Sequence, residues 1–258
     1  MSSSLQQFRQ LHQSPDLFIL PNIWDAKSAL QIQYENYPAV ATSSAAVANG
    51  LGYEDGEAMP FDEYLLIIRR IIATVQIPVT VDLEMGYGKT DEAVYANISK
   101  LVDLGIAGIN IEDSMISGSA RVVQDAQAFA KRIAYIKNKL AADGRDIFIN
   151  ARCDTYLLKV ADTKSATAER LRVYEAAGAD GIFLPFISKA ADISEAVKST
   201  TLPVNVMCVP GLPDFDSLQK LGVKRISMGP FLFNKVYEQV GLLAGSVRQA
   251  KDFGALLS

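Results

Sequence analysis

Short apolar runs alternate with longer amphipathic segments about eight times along the chain, the pattern of strands and helices that builds a parallel sheet. The runs cover residues 17–20, 39–42, 78–81, 108–112, 147–151, 182–184, 204–207 and 225–228. Most are rich in Val, Ile, Leu or Ala at successive positions, as strands buried on both faces require. Between them the apolar period lengthens. Segment 61–75 sets Leu65, Ile68, Ile71 and Ile72 on one face and predicts a helix. Segment 91–104, with Ala93, Ile98, Leu101 and Val102 inward, predicts another, as do segments 26–34 and 166–177. Ser119 is placed to cap a long helix reaching about residue 140, and the chain from Phe231 onward reads as two closing helices broken near Gly245. Eight βα units in 258 residues predict an α/β protein with one (β/α)8 barrel domain spanning 1–258. A doubly wound open sheet is the alternative, but no Gly-x-Gly-x-x-Gly turn follows the first strand.

Polar residues gather where these runs end. Ser43, Asp82, Glu84, Glu112, Arg152 and Asn205 all stand at or near strand C-termini, the end at which such a barrel carries its active site. Segment 78–88 turns from β-branched to acidic to glycine-rich within a few residues. On a strand period Asp82 and Glu84 point the same way and repel each other unless a cation or a shared proton intervenes. Mg2+ prefers oxygen ligands and keeps several waters, so Asp82, Glu84 and Glu112 are candidate metal ligands; the plainer alternative is that they cap loops or pair with Arg152. Arg152 offers a planar fork suited to a carboxylate or phosphonate, or else a salt bridge to Asp154 or Glu112. Ser44, Ala45 and Ala46 are small enough to bring backbone N–H groups to an anionic substrate. Asp55 either reaches over the pocket from its glycine-containing loop or forms a turn there. Tyr87, between Gly86 and Gly88, closes the site or packs, and Asn205 is a candidate substrate contact.

Composition narrows the chemistry. A net charge of −4, with no basic cluster interleaved with aromatics, argues against nucleic acid. No apolar run approaches the roughly 20 residues that span a bilayer, and the N-terminal residues lack a signal-peptide pattern; no membrane association and a cytoplasmic location are expected. His12 is the single histidine, so a Ser-His-Asp triad or a histidine-rich zinc site has no place in the core. Acid–base work falls to Asp, Glu, Tyr, Lys or water. Cys153 and Cys208 form neither a disulfide framework nor a metal-ligand spacing. Strand alternation turns Cys153 away from the pocket if Arg152 faces it.

Several segments in order, Thr42-Ser-Ser-Ala-Ala, Leu51-Gly-Tyr-Glu-Asp-Gly-Glu, Val81-Asp-Leu-Glu-Met-Gly-Tyr-Gly, Ile109-Asn-Ile-Glu-Asp-Ser and Asn150-Ala-Arg-Cys-Asp, resemble the isocitrate lyase and phosphoenolpyruvate mutase superfamily. The likeness continues through Gly178-Ala-Asp-Gly-Ile-Phe-Leu-Pro, Pro203-Val-Asn-Val-Met and Ser227-Met-Gly-Pro. It implies a (β/α)8 barrel, a homo-oligomer (dimer or tetramer) with a C-terminal helix swapped between subunits, and Mg2+, with Mn2+ as a substitute. By the resemblance Asp82, Glu84 and Glu112 are the metal-binding acids. Ser44, Ala45 and Ala46 hold the substrate carboxylate, Arg152 binds substrate, and Asp55 is an active-site acid. The chain departs from the family after Glu112. Lyases of the superfamily carry a Lys-x-Cys-Gly-His type motif on a lid there and phosphonate enzymes carry lysine and asparagine, whereas this chain has Asp113-Ser-Met-Ile-Ser-Gly-Ser119. Phe186 also stands where many relatives place a polar group. The expectation is a Mg2+-dependent lyase that decarboxylates an oxaloacetate-like 2-oxo acid through a metal-bound enolate. Phosphoenolpyruvate or phosphonopyruvate chemistry, by a phosphonomutase or hydrolase, is the alternative, and a non-catalytic 2-oxo acid binding protein the third reading.

Overall fold

The computed structural model describes residues 3–118 and 120–257. The chain opens with α1 (Ser4–Gln13), then β1 (Phe18–Leu20), β2 (Asn22–Ile23), α2 (Ala26–Tyr34), β3 (Val40–Thr42), α3 (Ser44–Gly50) and α4 (Phe61–Ile72). Next come β4 (Val79–Asp82), α5 (Asp91–Asp103), β5 (Gly108–Glu112), β6 (Ser114–Ser117), β7 (Ala120–Val123), α6 (Ala126–Ala142) and β8 (Phe148–Arg152). The last part runs α7 (Thr163–Ala176), β9 (Gly181–Leu184), α8 (Ala190–Lys198), β10 (Val204–Met207), α9 (Phe215–Lys220), β11 (Arg225–Ser227), α10 (Phe231–Ala250) and α11 (Gly254–Leu257).

All strands except β6 and β7 form one parallel sheet in the order β1-β11-β10-β9-β8-β5-β4-β3-β2. Its two ends are consecutive in the chain, separated only by Pro21. Proline has no N–H for the ladder, so the first strand splits there: β1 pairs with β11 while β2 pairs with β3. The Pro21 carbonyl still accepts from the Ala41 N–H at 3.0 Å. The split strand closes the sheet into the (β/α)8 barrel, which removes the open-sheet alternative.

The strands are buried nearly throughout, and Ile68, Ile71, Ile98, Leu101, Ile133 and Ile136 pack from the helices against them. At the N-terminal mouth α1 lies across the opening. Phe8 is fully buried there in a cluster with Phe18 and Phe148, and His12 stacks on Phe148 with ring centroids 4.2 Å apart. Contiguous apolar burial of this kind contributes about 25 cal/mol per Å² removed from water.

Two sequence expectations need correction. Ser119, the expected helix cap, lies outside the described residues, and α6 starts only at Ala126, with Asp125 Oδ1 accepting from the Ala128 N–H at 2.9 Å. The preceding residues form the antiparallel hairpin β6–β7. In addition, α10 runs unbroken through Gly245 to Ala250 and stops where Lys251 turns left-handed (φ 57°). A glycine costs a helix interior only about 1 kcal/mol, too little to end a helix of this length. Of its residues only Phe233 is buried; Val236, Tyr237, Val240, Leu242 and Leu243 are exposed. No helix among the described residues is long and apolar enough to cross a membrane.

Candidate active site

Asp82 ends β4 and is fixed from several sides. Its N–H donates to Thr42 Oγ1 (3.0 Å), its carbonyl accepts from the Tyr64 hydroxyl (2.9 Å), and Oδ2 accepts from the Ser44 hydroxyl (2.8 Å) and N–H (3.3 Å). The other oxygen, Oδ1, is buried without a hydrogen-bond partner. A cavity of about 290 Å³ opens above it at the C-terminal end of the barrel, lined also by Ser44, Ala45, Asp55, Asn110, Arg121 and Arg152, with Leu157, Leu158, Pro185 and Phe186 as an apolar wall. A wider groove of about 610 Å³ lies outside, against Tyr156, Lys159 and Lys189, but none of the strand-end acids opens onto it.

Among the expected N–H donors, only one is left for a ligand. Ser44 N–H is engaged by Asp82, and Ala46 N–H donates to the Ser43 side chain that caps α3. Ala46 is buried and does not line the cavity, while Ala45 lines it with no hydrogen-bond partner for its N–H among the described residues. Asp55 reaches the cavity from the loop after α3, with Oδ1 3.5 Å from the Ser44 hydroxyl. Partial burial, then the neighbouring Asp82, push its carboxyl above the ordinary value, against the pull of Arg121 and Arg152.

Two arginines flank the acids. Arg152 Nε and Nη2 bond Asp154 at 2.6 and 3.3 Å, and Nη1 lies 2.9 Å from Glu112 Oε2. Both plain salt bridges foreseen for this residue therefore exist, and its side chain still borders the cavity. Arg121, on β7, was missed by the sequence reading because its segment was assigned to a helix. Its Nη1 donates to Glu112 Oε1 and to Ser114 Oγ (3.1 Å), and Nη2 lies 3.4 Å from Asp55 Oδ2. The signal was present: Ser114-Met-Ile-Ser and Ala120-Arg-Val-Val flank a two-residue connection containing Gly118, the spacing of a hairpin.

Glu84 does not stand beside Asp82 as strand alternation suggested. β4 ends at Asp82, and Glu84 adopts a left-handed φ of 51°, which sends its carboxylate elsewhere. Its oxygens accept from the Tyr87 hydroxyl (2.6 Å) and the Glu57 N–H (2.8 Å), while Glu57 accepts from the Tyr87 N–H (2.5 Å). Glu57 and Tyr87 have positive φ as well, 63° and 54°, so the three residues hold one another in strained conformations. Burial pushes the Glu84 carboxyl up to about 7. Tyr87 donates into Glu84, packs on Phe61 and Tyr64, and does not line the cavity. Glu112, 1% exposed, is enclosed by Ser114 and the two arginines; burial raises its pKa against their attraction.

Asn205 is a further correction. It is buried in a polar layer of the barrel interior and does not line the cavity, its Nδ2 engaged by Val206 O, Arg225 O and Ser227 Oγ. Inward-facing residues of a barrel stack in layers, and Asn205 belongs to the layer of Asn110, Asn150 and Arg225. Cys153 is fully buried beside Thr155 and its thiol is pushed well up by burial.

Among the described residues no three Asp, Glu, His or Cys side chains converge as a ready metal cage. Mg2+ needs no such cage, since it is commonly held by one or two carboxylates and its own waters. The orphan Asp82 Oδ1 fits that role directly, with Asp55 close enough to act through water; Glu84 and Glu112 are already bonded elsewhere.

The family model for phosphoenolpyruvate phosphomutase matches residues 8–248. The chain belongs to the isocitrate lyase and phosphoenolpyruvate mutase superfamily. An uncharacterized protein of Mycobacterium tuberculosis is 36% identical over 86% of this chain and 81% of its own length. Oxaloacetate decarboxylase 1 of Pseudomonas fluorescens is 27% identical over 85% of this chain and 76% of its own. A crystal structure from Burkholderia cenocepacia, provisionally named a phosphonomutase, superposes with a TM-score of 0.88 at 36% identity, covering 94% of this chain and 98% of that one. Membership of the superfamily makes the chain an enzyme of a group that includes lyases, mutases and decarboxylases.

Proposed function

We propose that this superfamily member is a divalent-metal-dependent lyase, using Mg2+ with Mn2+ as a substitute, that decarboxylates a small 2-oxo dicarboxylate of the oxaloacetate kind. The observation that carries the reading is Asp82 Oδ1, a buried carboxylate oxygen without a protein partner in a cavity flanked by Arg121 and Arg152. At about 290 Å³ the cavity sits just below the roughly 300–1,000 Å³ of ordinary ligand pockets, a size suited to a metabolite of a few carbons. A cation held by Asp82 would supply a Lewis acid for charge on the 2-oxo oxygen.

The chain's own residues bind and orient. Arg152, held by Asp154 and Glu112, and Arg121, held by Glu112 and Ser114, offer fixed cationic edges to the two carboxylates. Ala45 N–H adds a neutral donor, and the Leu157, Leu158 and Phe186 wall limits water around the breaking bond. When the C–C bond to the departing carboxylate breaks, its electron pair passes into the enolate and CO2 leaves. Asp55, which reaches the cavity beside Ser44, is the acid placed to return a proton to carbon. Reaction of this kind needs no thiol acid, which agrees with the absence of Cys and Lys between Asp113 and Gly118. The uncovered apolar face of α10 supports a homo-oligomer as part of the same reading.

The test is loss of oxaloacetate followed by proton NMR, with and without Mg2+, for the wild type and Asp82→Asn. Metal-dependent turnover that falls by about 100-fold or more in the variant is expected. A rate indifferent to both metal and Asp82 would refute the reading, and turnover of phosphonopyruvate alone would replace C–C by P–C cleavage.

A further inference from the structure

We infer that Asn110 is a substrate-contacting residue whose side-chain N–H2 is aimed at an anionic oxygen of the 2-oxo acid, and that the buried Arg225 fixes this orientation from below. The inference deepens the proposed reading of the cavity and rests on it.

Asn110 lies on β5 directly opposite Asp82 on β4 and borders the cavity. Its Oδ1 accepts from Arg225 Nη2 at 3.1 Å and from Asn150 Nδ2 at 2.8 Å. A guanidinium has only donors, so the Asn110 atom facing it must be oxygen. Turning the amide over would set N–H2 against two donors. The amide orientation is thereby decided by chemistry, where it is ordinarily an assignment. Its Nδ2 makes no hydrogen bond within the described residues and belongs to the half of the side chain directed away from Arg225. A donor left open on the cavity wall that also carries the unpartnered Asp82 oxygen complements an oxyanion drawn in by a cation on Asp82.

Among the described residues, Arg225 donates its one side-chain hydrogen bond to Asn110. It is 1% exposed, forms no ion pair among the described residues, and its Nε and Nη1 have no partner. The Phe8 ring, 5.9 Å away, closes the space beneath it. Burial lowers its pKa to about 9, so it stays charged at neutral pH. An unpaired buried charge is costly to a fold, and here it polarises one amide that opens on the site. A packing residue would not need it.

The experiment uses the full chain with saturating Mg2+ and oxalate as the probe, read by titration calorimetry alongside thermal unfolding. Asn110→Asp keeps the acceptor for Arg225 and Asn150 and gives Arg225 a counter-charge, so its unfolding temperature should equal or exceed that of the wild type. Its oxalate affinity should nevertheless fall by about 100-fold, because a negative oxygen replaces the donor. Asn110→Ala should lose about 10-fold. Arg225→Met, which frees the amide to rotate, should also weaken binding, and the double variant Asn110→Ala/Arg225→Met should be no weaker than Asn110→Ala alone. Wild-type affinity in a stably folded Asn110→Asp would overturn the role of Asn110, and additive losses would overturn that of Arg225. No oxalate binding by the wild type would instead bring down the reading of the cavity, and the inference with it.

Discussion

Arg121→Met removes the link that ties strand β7 of the hairpin to both Glu112 and Asp55. The arginine is 17% exposed and donates to Glu112, Ser114 and Asp55. Methionine keeps much of the stem's packing and removes the fork. A charge-assisted hydrogen bond is worth about 1.5–3 kcal/mol, so losing one such contact to a substrate carboxylate predicts a rise in KM of about 10- to 150-fold at roughly 1.4 kcal/mol per decade. Stability should fall by less than the about 3–5 kcal/mol of breaking a buried pair, since Glu112 keeps Arg152 and Ser114. Steady-state oxaloacetate decarboxylation with saturating Mg2+ measures the first quantity, and urea unfolding the second. Arg121→Lys, with the charge but not the fork, should fall between. Unchanged KM in a stably folded Arg121→Met would show that Arg121 serves the hairpin and Glu112 alone, and the two-arginine account of the substrate would be wrong.

His12 should make the fold acid-labile. Burial, then Arg225, lower its pKa to about 3 against an ordinary 6.5, so the unfolded chain binds the proton first and stability is lost as pH falls from about 6.5 toward 3. At pH 4.5 the unfolded state gains about 3 kcal/mol from this group; urea unfolding at pH 7.5 and 4.5 should show a pH dependence flattened by that amount in His12→Asn, and equal slopes would contradict the burial argument. Native protein treated with iodoacetamide should carry one adduct, on the exposed Cys208, because Cys153 is fully buried with a raised thiol pKa; rapid labelling of Cys153, read by peptide mass spectrometry, would show that its strand opens. Light scattering should report more than one subunit, with Val240→Asp on the exposed face of α10 lowering the number; a monomeric wild type would remove the homo-oligomer from the reading.

Periodicity along the chain determined most of what is local. The eight apolar runs became barrel strands with ends shifted by a residue or so, because burial on both faces forces continuous apolar sequence whatever the neighbours are. Strand ends also determined that Asp82, Arg152 and Ser44 would meet, since a barrel gathers its C-terminal tips, whereas Asp55 joins them from a loop whose path the sequence left open. Tertiary structure decided the rest. Which way Glu84 points depends on a left-handed backbone step held by Glu57 and Tyr87, and strand alternation stops before it. Whether Asn205 is free to meet substrate depends on its bonds to Val206 O, Arg225 O and Ser227 Oγ, which a period of two does not show. Arg121 enters the site only because its hairpin folds back over Glu112, and Asn110 acquires a direction only because Arg225, 115 residues away in sequence, can donate and never accept. Chemical type was written in the sequence; side-chain direction came from contacts between residues far apart in it.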